Sequence, residues 1–366
     1  MTLETGLMKA LGVKHPLVQG PMAGGPTTPR LVAAVSNAGA LGSLGAAYLS
    51  PDTLREQIAQ IRGLTEGPFN VNLFVPLPYE ADPARIGRVG ELLDPYRQEL
   101  GIEDPGTPST FEEDFYDQLE VVLQEGVPVF SFTFGSPGPD LTGRLRENGT
   151  YVVGTATTVE EGIRLERDGV DAVVAQGAEA GGHRGTFLGD VADSLIGTMA
   201  LVPQMADALS VPVIAAGGIM DGRGLAAVLI LGAQAAQMGT AFLTCVESGA
   251  HPAFKEAVLG ASEDETAVTR AFSGRAARGI KNRFLLEIGT SEEEIAPFPV
   301  QNALTKDVRA AAQRQGRPEF MSLWAGQGVR LARSITAAEL TRTVVADAEA
   351  ALAGAAGKTR RTLEGA

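Results

Sequence analysis

The chain has one cysteine, three histidines and one tryptophan in 366 residues, and aromatic residues make up only 5% of it. A single thiol, Cys245, excludes an intrachain disulfide and a thiolate metal cluster. His15, His183 and His251 lie far apart and form no HExxH pair, so no metal site is expected. Positive charge is scarce as well: 30 Lys and Arg against 44 Asp and Glu leave a formal charge of -14. The cations are dispersed apart from Lys358, Arg360 and Arg361 near the end, which excludes the basic footprint of a nucleic-acid binder. The opening residues hold no apolar run of signal length, and no later stretch approaches the roughly 18 residues of a membrane span. The expectation is a cytoplasmic globular protein with no membrane partner. A hydrophobic share of 44%, a charged share of 20% and a mean hydropathy of +0.06 agree with it.

Short runs of small and β-branched apolar residues recur along the chain. Eight stand out, at 17–22, 40–45, 69–74, 127–135, 151–156, 171–177, 211–218 and 235–242. Most lack apolar/polar alternation, as expected of parallel strands covered on both faces. Between them lie stretches such as PRLVAAVSNAG, TVEEGIRLERDG and GRGLAAVLILGA, with the length of crossover helices and a glycine at or near the end. Eight β/α units in order predict a (β/α)8 TIM barrel. Residues 76–118 and 246–320 exceed what a crossover needs and would leave the C-terminal rim. They are expected to form a small inserted helical lobe on the substrate side, leaving 1–75, 119–245 and 321–366 to the barrel.

Phosphate sites in such barrels commonly form at the ends of strands seven and eight, which here read AAGGIMDGRG (215–224) and QMGT (237–240). Glycines there would let the backbone approach a ligand, although glycines after strands also simply make tight turns. No strand is followed by GxGxxG with an acid about 20 residues on, so a dinucleotide fold is not expected. Asn70 and Asn72 alternate onto one face, and Gln176 ends strand six. Amides offer donor and acceptor together and suit the edge of a heterocycle, or equally a satisfied interior. His183 sits in AQGAEAGGHRGTF, a glycine-rich rim loop where barrel enzymes place catalytic groups, and imidazole titrates in the range useful for proton transfer. His15, before strand one, and His251, at a helix start, read as structural. The four cations of SGRAARGIKNRF (273–284) meet an anionic substrate, rim a cofactor phosphate, or balance nearby acids such as those of ASEDE (261–265).

Taken together, QGPMAGGPTTPRLVAAVSNAGALGSLG, PFNVNLF, VVAQGAEAGGHRG, PVIAAGGIMDGRG, AAQMGTAFL, RAARGIKNR and LWAGQG span residues 19 to 328. With this ordered set the chain resembles the FMN-dependent nitronate monooxygenases, in particular the bacterial class acting on alkyl nitronates such as propionate 3-nitronate. The resemblance implies noncovalent FMN, its phosphate at Gly218 and the Gln237, Met238, Gly239, Thr240 turn. It places Asn72, Gln176 and Gly181 against the cofactor, Pro21 and Met22 beside its ring, and His183 as the catalytic residue. It also implies oxidation of a small nitronate by O2 to a carbonyl compound and nitrite. Lys306, in PFPVQNALTK, is a candidate partner for a substrate carboxylate. A monomer or homodimer is expected. The rival readings are an NAD(P)H-dependent FMN reductase, for quinones or enoyl-acyl-carrier-protein, on the same barrel, and a flavin-free barrel binding a phosphate-bearing regulator.

Overall fold

The computed structural model describes residues 3–103, 105–106, 108–291 and 293–364, with side chains described up to residue 354. Its strands are β1 (Leu17–Gln19), β2 (Gly42–Gly45), β3 (Phe69–Phe74), β4 (Val129–Thr133), β5 (Tyr151–Ala156), β6 (Ala172–Gln176), β7 (Gly182–His183), β8 (Val213–Ala216), β9 (Ala235–Met238), β10 (Thr266–Thr269) and β11 (Ala277–Ile280).

Eight of these form a parallel sheet in the order β1-β9-β8-β6-β5-β4-β3-β2. A parallel bridge from Val18 to Leu41 brings its two edges together, with Gln19 N donating to Leu41 O at 2.9 Å. The chain is therefore a (β/α)8 barrel, and each of the eight apolar runs supplies one strand. Several runs stop short as strands. The last leaves the ladder at Gly239, and Thr240–Leu243 becomes a helical turn.

Crossover helices begin where the side chains dictate. Thr28, Ser50 and Thr158 each accept a backbone N-H three residues on, and Pro29 and Pro51 occupy first helical positions. The closing helix, Ala337–Glu364, packs on Gly222–Ile230 and Pro29–Asn37. The approach is close enough that a Cβ on Gly222 would stand 2.4 Å from Ala348 N. Residues 365–366 and the side chains of Lys358, Arg360 and Arg361 lie outside the described part.

Two main apolar clusters divide the interior. One joins the strands to the crossover helices, and Phe115, Leu119 and Val122 belong to it. The other gathers Val89, Leu93 and Tyr96 from the first insertion with Phe254, Phe272, Phe284, Val308 and Phe320 from the second, and continues through Met321, Leu323, Ala325 and Val329. Beside its helices this second body carries an antiparallel ribbon, β10-β11-β7. Because β7 belongs to the loop after β6, the ribbon ties the second body to the barrel rim at His183.

Candidate active site

A cavity of about 570 Å³ opens between the strand ends and the second apolar body. Pro21, Met22, Asn72, Gln176, Gly181, His183, Gly218, Gln237, Gly239, Thr240 and Lys306 all line it. Met238 does not: its side chain is 1% exposed and belongs to the apolar layer between strands and crossover helices, on the opposite face of β9 from Gln237, as alternation requires. Of the residues that the resemblance assigns to cofactor, catalysis or substrate, Met238 alone stands outside this lining.

The cavity floor is amide and hydroxyl. Asn70 Nδ2 and Asn72 Nδ2 both donate to Ser131 Oγ, at 2.8 and 2.9 Å, which confirms that the two asparagines share a face. Asn72 Oδ1 makes no bond among the described residues, while Asn70 Oδ1 is buried without a partner. Gln176 is differently employed. Its Nε2 donates to His183 O at 3.0 Å and its Oε1 accepts from Gly185 N at 2.8 Å, so its amide fastens the histidine loop.

At the ends of β8 and β9 the backbone is bare. Gly217 and Gly218 have φ of 112° and 71°, which only glycine adopts freely. A Cβ on Gly239 would meet nothing within 4 Å, so open cavity lies where a side chain would project. Thr240 Oγ1 accepts from Gly326 N at 2.9 Å, and Gln327 N donates to Glu179 O at 3.0 Å, so the WAGQG stretch latches the end of β9 to the loop after β6. The latch explains Gly181, whose Cβ would stand 2.5 Å from Ala325 C and Gly326 N. Glu179 also lines this end, but its carboxylate accepts from Thr198 N and Oγ1 at the start of helix Thr198–Ala208.

His183 is held from three directions. Strand pairing sets it opposite Ala277, Gln176 holds its carbonyl, and its Nε2 shares a 2.8 Å hydrogen bond with Ser273 Oγ. Phe74, Phe134, Phe298 and Trp324 stand around the ring with centroids 5.6 to 5.9 Å away. Burial, then the charges of Arg275 and Arg309, push its pKa down to about 3. The imidazole keeps some contact with the cavity yet is neutral at ordinary pH. Phe134 reaches this wall with φ of 82°, an unusual backbone for a phenylalanine, and carries the Arg275 guanidinium 4.0 Å over its ring.

The four cations of 273–284 do not line the cavity. Arg275 donates to the carbonyls of Arg184 and Thr186, and Arg278 to Ala178 O and Thr266 Oγ1, bracing the loop from behind. Lys281 reaches Asp264 O, and Arg283 pairs with Glu99 and Glu287. Their work is structural. Glu161 completes the brace, fully buried and accepting from Thr157 N and Oγ1, Phe187 N and Leu188 N. His251 caps helix Pro252–Gly260 through Nδ1 and also touches the cavity wall. His15 stands by Gly39 at the opposite end of the barrel, its pKa lowered chiefly by burial. Burial pushes the Cys245 thiol up to about 12, which leaves it unreactive.

Sequence reasoning passed over Tyr48, Ser131 and Arg309, all in the cavity wall. Ser131 lies in an apolar run and Tyr48 just past one, so neither stands out. Arg309 has no acid four residues to either side on its helix, a mild signal of a cation kept for something else. Among the described residues no helix is long and apolar enough to cross a membrane, and no group of three His, Cys, Asp or Glu could hold a metal.

A barrel with a polar floor, glycine turns at the ends of β8 and β9 and a braced histidine at the mouth is a cofactor enzyme's site. The nitronate monooxygenase family profile matches residues 4–347, and the chain belongs to that family of flavin oxidoreductases. A probable nitronate monooxygenase of Staphylococcus saprophyticus is 46% identical over 350 residues, covering 95% of this chain and 98% of that protein. The solved nitroalkane oxidase of Streptomyces ansochromogenes superposes with a TM-score of 0.88 at 42% identity, covering 96% of this chain and 99% of its own. FabK from Thermotoga maritima gives 0.77 at 32% identity, with 97% and 99% covered.

Proposed function

We propose that this enzyme oxidises alkyl nitronates of the propionate 3-nitronate type with O2, yielding a carbonyl compound and nitrite, and that its flavin is FMN. Two features of the chain suit FMN: the open space at Gly239, where any other residue would intrude, and the unpartnered Asn72 Oδ1 on the floor. When bound, FMN supplies the redox chemistry that no side chain here can perform. Asn72 and Gly181, with Pro21 and Met22, would hold its ring side. Gly218, Gln237, Gly239 and Thr240 would hold its phosphate side, with Met238 contributing only backbone.

His183 carries the reading. A neutral imidazole pinned between Ser273 and Gln176 at the cavity wall can act as an acceptor for the α-proton of a nitroalkane. Ser273 Oγ also donates to Arg275 O at 3.1 Å. In that arrangement its lone pairs face His183, which places the imidazole proton on Nε2 and leaves Nδ1 as the acceptor. The four surrounding rings restrict water around the reacting groups.

The test is product analysis. The FMN-loaded protein mixed with propionate 3-nitronate in air should consume O2 and release nitrite with no added NADH. Oxidation that appears only with NADH, without nitrite, would replace this reading by the reductase one.

A further inference from the structure

Helix Lys306–Gln315 carries Arg309 into the cavity wall. Its Nε donates to Thr305 Oγ1 at 3.2 Å and its Nη2 to Asn302 O and Oδ1, at 2.5 and 3.1 Å. All three acceptors are uncharged. Nη1 makes no hydrogen bond, and no carboxylate pairs with the guanidinium among the described residues. The nearest acid in sequence, Asp307, is held by Arg97 at 2.8 Å. Burial depresses the Arg309 pKa below its ordinary value, without taking its charge. A half-buried cation with no anion has surrendered hydration for neutral contacts, an expense a fold bears where a ligand brings the missing charge.

Other buried cations nearby are already engaged. Arg184 donates to the carbonyls of Gln176, Gly177 and Ser194, and Arg275 and Arg278 brace the histidine loop. Lys306 lines the same cavity but is exposed. Among the described residues Arg309 is thus the only arginine in the cavity wall, and its charge is felt at His183. Tyr48 is near enough to interact with it, and its hydroxyl is shut from solvent with no partner. In a protein of net charge -14, this spot is a local seat for an anion.

We propose that Arg309 seats the substrate's own carboxylate, so that the enzyme prefers nitronates bearing a second negative charge over plain alkyl nitronates. Lys306, at the exposed edge, draws the anion in without holding it. The assignment rests on the nitronate-oxidising reading and sharpens its substrate class.

The test compares kcat/KM for propionate 3-nitronate and propyl 1-nitronate in the holoenzyme. Arg309→Met should lower the ratio of the two by about 10- to 100-fold, mostly through KM for the carboxylated substrate. Arg309→Lys should recover part of it. Because Arg309 also ties Asn302 to Thr305, melting temperatures accompany the kinetics, and Tyr48→Phe serves as a second variant that breaks no internal hydrogen bond. It should lower the same ratio by a few-fold. A ratio unchanged in both Arg309 variants overturns the proposal, whether both activities fall together or neither falls.

Trp324, the sole tryptophan and a cavity wall residue, gives a readout independent of turnover. Propionate should perturb its fluorescence in the wild type and at least tenfold more weakly in Arg309→Met. If no nitronate is turned over but propionate behaves so, the seat stands and the nitronate reading fails. If nitronates are oxidised and propionate acts alike on both proteins, the seat is refuted.

Discussion

Acid should destabilise this protein through one imidazole. His183 has an ordinary pKa of 6.5 when unfolded and about 3 when folded. The unfolded chain therefore binds a proton that the folded one refuses, and the related stability is fully present above pH 6.5 and lost as pH falls toward 3. Between pH 7.5 and 5.0 the unfolded state gains about 2 kcal/mol from this protonation. Since the ring keeps some cavity contact, a net loss of about 1 to 2 kcal/mol is expected. Urea unfolding at both pH values, in the wild type and in His183→Asn, isolates the effect. His15 and the carboxylates titrate in both proteins and cancel in the difference. The wild type should lose about 1 to 2 kcal/mol more than the variant across this range. Equal losses would show that His183 is not held neutral, and the reasoning about its proton would fall with it.

Other outcomes follow from the same geometry. Gly239→Val should fold normally, since nothing in the protein crowds that Cβ, but purify with little or no FMN, seen as loss of yellow absorbance. Gly181→Ala should loosen the latch, because backbone at 2.5 Å cannot yield as a side chain does; it should weaken FMN retention and lower the melting temperature. Ser273→Ala removes the Nε2 partner and should cut kcat roughly 5- to 10-fold while FMN stays bound, read by steady-state oxygen uptake. Glu161→Gln, which weakens four hydrogen bonds at a buried carboxylate, should lower unfolding free energy by about 2 to 4 kcal/mol in urea titration.

The barrel was legible because parallel strands buried on both faces leave continuous apolar runs, and those from LVQ to AAQM each gave a strand. Asn72, Gly239 and His183 were legible because they sit at strand ends, where chain order predicts the rim. The antiparallel ribbon was not, since TAVT and ARGI are too short to show a period and one of its strands is the histidine loop itself. Gln176 shows a different limit: sequence places an amide at the rim, where it lines the cavity, but does not show that the same amide fastens the histidine loop. Arg309 escaped notice because its meaning lies in what fails to pair with it, and only the folded lobe shows that Asp307 has gone to Arg97.

The most direct test of the account is anaerobic rapid mixing of the FMN-loaded protein with propionate 3-nitronate and, separately, with NADH, following the flavin absorbance. The nitronate should produce a rapid spectral change and NADH none. Bleaching by NADH with no response to the nitronate would contradict it.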